Sequence, residues 1–184
     1  GAGRTCVAGM CQAESDAGMS DGAETLFAML NRGWRFRTAI ASTNPSDRSL
    51  WYFMSNTYRR DIERRLGITP PWVSPQSAWN QWWDRSAAFD HTENYTAPLL
   101  LNLAQSEILI AMPLITRLRH EQRPIDVYLY PEAHHLKTLP SQLTAIQHRN
   151  LDWLELWLNG AETDDALEPA RRGRWRALRD HSSA

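Results

Sequence analysis

The 184 residues suffice for one domain with a real hydrophobic core, and 42% hydrophobic with 22% charged is ordinary globular composition. A net charge of -1 removes the electrostatic argument for nucleic acid or an anionic membrane surface. A nucleic-acid stacking platform would also use aromatics such as the nine tryptophans, but it needs interleaved lysine and arginine in a groove, and the chain has one lysine, Lys137. Five of the nine lie between Trp51 and Trp83, and their expected use is filling a core or an interface. Cys6 and Cys11 make neither a disulfide framework nor a four-ligand metal set. No apolar stretch is long enough to cross a bilayer.

In chain order, Thr5 to Gly9 is strand-like, while Gln12 to Asp16 is polar. Asp21 to Asn31 predicts a helix with Leu26, Met29 and Leu30 on one face, ended by Gly33. Thr38 to Thr43 is short, apolar and β-branched, as a buried strand requires. Asn44 to Asp47 reads as a turn, Arg48 to Leu66 as a helix stopped by Gly67, and proline-rich Thr69 to Ser77 as an irregular loop. Ala97 to Leu103 is nearly all apolar, the pattern of a parallel strand covered on both faces. A helix over Ala111 to Glu121, a strand over Ile125 to Tyr130 and a helix over Ser141 to Leu158 follow, the last closed by Gly160. The arginine-rich run from Arg171 to Arg179, beside the acids of Glu162 to Glu168, reads as a solvated terminal helix. Strands alternating with helices make the fold class α/β, with a mostly parallel sheet.

Gly18-Met19-Ser20-Asp21-Gly22 matches G-x-S-x-G and opens a helix. Small flanking residues let a strand turn sharply into a helix with the nucleophile strained at the tip, and the helix N-terminus offers free N–H groups for an oxyanion. The pentapeptide alone is weak; its helix also suits Ser20 as a simple cap. Downstream order strengthens it. Glu107 follows one apolar strand and His135 follows the next, where open parallel sheets place their sites. Ser, acid, His is the chain order of the α/β-hydrolases. In that scheme Ser20 attacks a carbonyl, His135 is the base, Glu107 orients the imidazole, and the Asp21 backbone N–H is one oxyanion donor, with no metal or organic cofactor. His134 competes with His135, whereas His91, His120, His148 and His181 lack a strand-end setting and read as surface or satisfied histidines. Glu93 and Glu132 do not follow a strand in the required order.

Tyr130-Pro131-Glu132-Ala133-His134-His135 and the later NLDWLELWLNG at Asn150 to Gly160 resemble the end of the prolyl oligopeptidase family of serine peptidases. SDGAET at Ser20 to Thr25, PLLLNLAQSE at Pro98 to Glu107 and HHLK at His134 to Lys137 resemble, more narrowly, its lasso-peptide isopeptidase branch. That likeness implies a relative with an N-terminal β-propeller, cleaving the isopeptide bond that closes the macrolactam ring of a threaded peptide. It also implies glutamate as the triad acid, at Glu107, and selects His135, four residues after Pro131, over His134. The domain plan expected is an irregular start with a possible strand over 1–17, the preceding part of the domain being missing, then the C-terminal part of a hydrolase domain over 18–160, and a charged helix or tail over 161–184.

Two departures stand against the pattern. The elbow should follow a buried strand directly, yet Gln12 to Asp16 is polar. Either an insertion separates strand from elbow, or the elbow is Gly9 to Ala13 with Cys11 as nucleophile. A whole hydrolase domain also needs several strands before the elbow, and the sequence shows room for at most one; the second oxyanion donor is then expected outside this chain, and losing such a donor typically costs on the order of 10²–10³ in rate. The alternatives are an ordinary oligopeptidase or esterase, and an inactive remnant. The residues do not indicate a compartment.

Overall fold

A computed structural model of the chain describes residues 4–7, 10–42, 52–70, 73, 91–161 and 169–182. The predicted turn at Asn44 to Asp47, most of the proline-rich loop, the start of the helix predicted from Arg48, and the five tryptophans from Trp51 to Trp83 lie outside these residues.

Five strands form one sheet in the order β1 (Arg4–Val7), β2 (Met10–Met19), β3 (Phe36–Ser42), β4 (Leu99–Ala104), β5 (Ile125–Tyr130). β1 runs antiparallel to β2, and every other pair is parallel. The helices are α1 (Asp21–Asn31), α2 (Asn56–Leu66), α3 (Ile108–His120), α4 (Pro140–Leu154) and α5 (Pro169–Ser182). The chain is therefore α/β with a mostly parallel sheet.

The two-residue alternation of a strand sorts β4 between two cores. Leu99, Leu101 and Leu103 face α1 and α3, packing with Leu26, Phe27, Leu30, Leu114 and Leu118. Leu100 faces the opposite layer with Ile40, Trp153, Leu156 and Trp175. Each fully buried leucine contributes about 1.5–3 kcal/mol, which is why a strand covered on both faces reads as a continuous apolar run. Buried Thr38 accepts from Trp153 Nε1 at 2.6 Å and donates to the Pro98 carbonyl at 3.2 Å.

Glycines end three elements in left-handed backbone where a side chain is strained: Gly33 (φ 77°), Gly67 (φ 62°) and Gly160 (φ 68°). α4 runs on through a π-helical turn, Glu155–Asn159, before Gly160 stops it.

Four expectations are corrected. The polar segment Gln12 to Asp16 is strand: β2 runs without interruption to Met19 and pairs with β3 from Ala13↔Phe36 to Met19↔Ser42. No insertion separates β2 from the elbow, and among the described residues two strands rather than one come before Ser20. Cys11 lies inside β2, opposite Cys6 of β1, and so occupies no elbow. α5, finally, is docked rather than merely solvated. Trp175 is buried edge-on against Trp153, and Arg171, itself buried, pairs with Asp152 at 2.7 Å. Among the described residues no helix is long and apolar enough to cross a membrane.

Candidate active site

The site forms at the C-terminal ends of β2, β4 and β5. Ser20 is the single residue between β2 and α1, and its backbone sits at φ 54°, ψ -120°. For a non-glycine residue that region is strained by about 1–3 kcal/mol. The surrounding ladder holds it there: Ser20 N–H donates to Ser42 O at 3.2 Å, while Ser20 O accepts from Ala23 N–H and Glu24 N–H at 2.9 and 3.1 Å. Asp21 is the first residue of α1, so its N–H belongs to the helix turn that has no intrahelical acceptors.

The two glycines of the pentapeptide differ in role. A Cβ on Gly18 would stand 2.3 Å from Gly22 O and 2.6 Å from Ala23 N, both backbone atoms that cannot give way. A Cβ on Gly22 would meet nothing within 4 Å. Gly18 is thus demanded by the close approach of strand and helix, and Gly22 is not. Gly22→Ala is expected to raise stability by about 0.4–1 kcal/mol through the reduced entropy of the unfolded chain. A urea titration checks this, and a midpoint below wild type would contradict the open space.

Beyond β4 a 3₁₀ turn, Gln105–Glu107, carries Glu107 inward to 5% exposure. Its Oε2 accepts the Ala104 N–H at 2.9 Å. Beyond β5 the chain turns at Glu132, whose φ is 58°, and brings His135 back over the sheet end. His135 Nδ1 lies 2.7 Å from Glu107 Oε1, and its Nε2 lies 2.9 Å from Ser20 Oγ. A carboxylate can only accept, so Nδ1 carries the hydrogen and Nε2 is left as the acceptor for the serine hydroxyl. Ser20, Glu107 and His135, the three side chains singled out in sequence, form one hydrogen-bonded line. His134 is exposed and outside it, as are His120 and His148, while His91 bonds Glu93 at 2.9 Å on the surface.

A cleft of about 850 Å³ opens over Ser20 and His135. Glu24 of α1 lines it, as do Tyr58, Arg60, Asp61 and Arg64 of α2. Asp61 takes ion pairs from Arg64 and from Arg65, the latter at 2.7 Å. Ser55 caps this helix by accepting the Tyr58 N–H, and Gly67 terminates it. Sequence reading found the helix but not its position. Its side chains approach Ser20 only through long-range packing, and no local pattern reports that.

No family model matches the chain. It is 29% identical over 162 residues to the lasso peptide isopeptidase AtxE2 of Asticcacaulis excentricus, an alignment covering 88% of this chain and 23% of that protein. Solved structures of the AtxE2 isopeptidase, one apo and one a serine-to-alanine variant with Astexin3-dC4 bound, match with a TM-score of 0.66 and 27% identity. The chain is homologous to a lasso peptide isopeptidase. It spans about a quarter of the length of these relatives, and the matched region covers 90% of this chain in the structural comparison. The resemblance read from SDGAET, PLLLNLAQSE and HHLK agrees with this homology.

Proposed function

We propose that this chain carries the catalytic apparatus of a serine-type isopeptidase, with Ser20 as nucleophile, His135 as general base and Glu107 as the carboxylate that orients and stabilises the imidazole. Ser20 Oγ attacks the isopeptide carbonyl carbon as its proton passes to His135 Nε2, and the carbonyl π-electrons move onto oxygen. The Asp21 N–H, with the helix dipole behind it, faces the resulting oxyanion. When the oxyanion collapses, the C–N bond breaks and the amine leaves with the proton held on Nε2, so that an acyl ester remains on Ser20. Water then repeats the sequence, giving its proton to Nε2 and releasing the acid and free Ser20. The imidazolium formed in each half is adjacent to Glu107, whose burial makes that charge–charge contact stronger than it would be in water.

The observation that most supports this reading is the continuous line from Ser20 Oγ through His135 to Glu107, built from residues 115 and 28 positions apart in the chain. A substrate whose amide joins a side-chain carboxyl to a backbone amine, as in a threaded macrolactam, is the class suggested by the relative's name. The cleft between α2 and the sheet end is the space it would enter.

The test is labelling of the purified chain with a fluorophosphonate, beside His135→Ala, followed by incubation with a macrolactam peptide. Wild type is expected to label and the variant not to, and the ring peptide to gain the mass of one water. A folded wild-type chain that takes no label overturns the assignment of Ser20 as an activated nucleophile. Labelling without ring opening, but with cleavage of linear peptides, overturns the isopeptide specificity alone.

A further inference from the structure

Lys137 is the one lysine in the chain. Its side chain is 3% exposed, and its ammonium stands 3.9 Å from Glu107 Oε2 and donates to Asn102 O at 3.5 Å. An ammonium withdrawn this far from water persists only beside an opposite charge or a full set of acceptors. Burial holds Lys137 below the ordinary lysine range, and Glu107 draws it partly back.

The two oxygens of Glu107 are divided by this arrangement. Oε1 takes the imidazole Nδ1–H, while Oε2 takes the Ala104 N–H and faces Lys137.

We infer that Lys137 is a positioning residue of the triad proposed above, its ammonium holding Glu107 as a fixed carboxylate and disfavouring protonation of the Glu107–His135 pair. The inference rests on that triad.

On the cleft side α1 contributes Glu24, and α2 contributes Arg60, Asp61 and Arg64, which line the space over Ser20 and His135 and are unchanged when Lys137 is replaced. β4 contributes the Asn102 carbonyl, and β5 contributes Tyr130, whose hydroxyl donates to Asn102 Oδ1 at 3.2 Å. α4 contributes Arg149, which donates to Tyr130 Oη and lies over the Tyr128 ring. The loop itself contributes exposed His134 and Glu132. Arg149 remains when Lys137 is replaced, so the sign of the effect follows Lys137 alone.

The experiment is the rate of fluorophosphonate labelling as a function of pH for wild type, Lys137→Met, Lys137→Gln and Lys137→Arg, with circular dichroism reporting the fold. Whether the carboxylate or the imidazole takes the proton, the pair is easier to protonate without the cation. Both neutral variants are therefore expected to move the acidic limb to higher pH, by on the order of one unit. At a pH below the shifted limb, where the protonated pair dominates, labelling slows on the order of 10-fold. Lys137→Arg, which keeps the charge, is expected to keep the limb. Glutamine, which retains a donor for Asn102 O, carries the same reading if the methionine variant does not fold. A folded neutral variant with an unmoved limb overturns the inference, even if its rate falls, because a packing role lowers rate without moving the limb. A folded wild type that takes no label overturns the triad and this inference together. An unmoved limb in an enzyme that does label, and whose label is lost in Ser20→Ala, overturns only the inference about Lys137.

Discussion

Ser20→Ala is expected to abolish fluorophosphonate labelling and to lower turnover of a cleaved peptide by about 10⁴–10⁶-fold. On the proposed mechanism the change removes the only atom that can carry the acyl group. His135 and Glu107 keep their mutual hydrogen bond, because the 2.7 Å contact between them does not involve the serine. Alanine keeps the Cβ that already tolerates φ 54° at this position, so the strained turn is not made worse. Stability is expected to stay within about 1 kcal/mol of wild type, the usual range for a change that neither opens a core cavity nor strands a buried charge. Labelling rates, hydrolysis monitored by mass spectrometry, and a urea titration together make the check. Retained labelling would place the reactive nucleophile elsewhere, and loss of the fold would turn the effect into a structural one.

Gly18→Ala is expected to be the most damaging single methyl addition in the described part of the chain. The new Cβ would overlap the Gly22 carbonyl at 2.3 and 2.4 Å from its oxygen and carbon. Those atoms belong to the first turn of α1, whose Ala23 and Phe27 are buried against the sheet, so the helix cannot retreat without opening the core. Gly18 is itself held in register with Ala41 of β3, so the strand cannot move away either. Overpacking of this kind costs about 1–3 kcal/mol and more where the opposing atoms are backbone, and relief by shifting α1 would carry Ser20 away from His135. Stability and labelling should therefore fall together, in contrast to Ser20→Ala, where labelling falls alone. A Gly18→Ala chain with a wild-type urea midpoint would show that strand and helix are not so closely apposed.

The contrast between Gly18 and Gly22 marks a limit of motif reading. G-x-S-x-G treats its two glycines as equals, and the sequence offers nothing to separate them. Only the distance between the end of β2 and the start of α1 assigns the steric demand to the first. The acid and the base were more legible. Glu107 and His135 each follow a strand whose apolar pattern is strong, and the chain order of the three residues constrains the fold that could unite them. That their atoms meet at 2.7 and 2.9 Å is a tertiary fact.

What the sequence by itself determined are the elements whose signal is local. β5 and α1 have the predicted bounds, and Leu99–Ala104 announces a strand buried on both faces by its lack of polar alternation. Gly33, Gly67 and Gly160 end their elements because left-handed backbone disfavours any side chain. The tertiary structure alone decided that polar Gln12 to Asp16 is a strand, because main-chain hydrogen bonds to β1 and β3 hold it there regardless of its side chains. It also decided that an arginine-rich helix docks through Trp175, that α2 walls the cleft, and that the single lysine is buried beside Glu107. Each of these depends on residues far apart in the chain being packed together, and packing energies of that kind leave no periodicity in the sequence for a local reading to find.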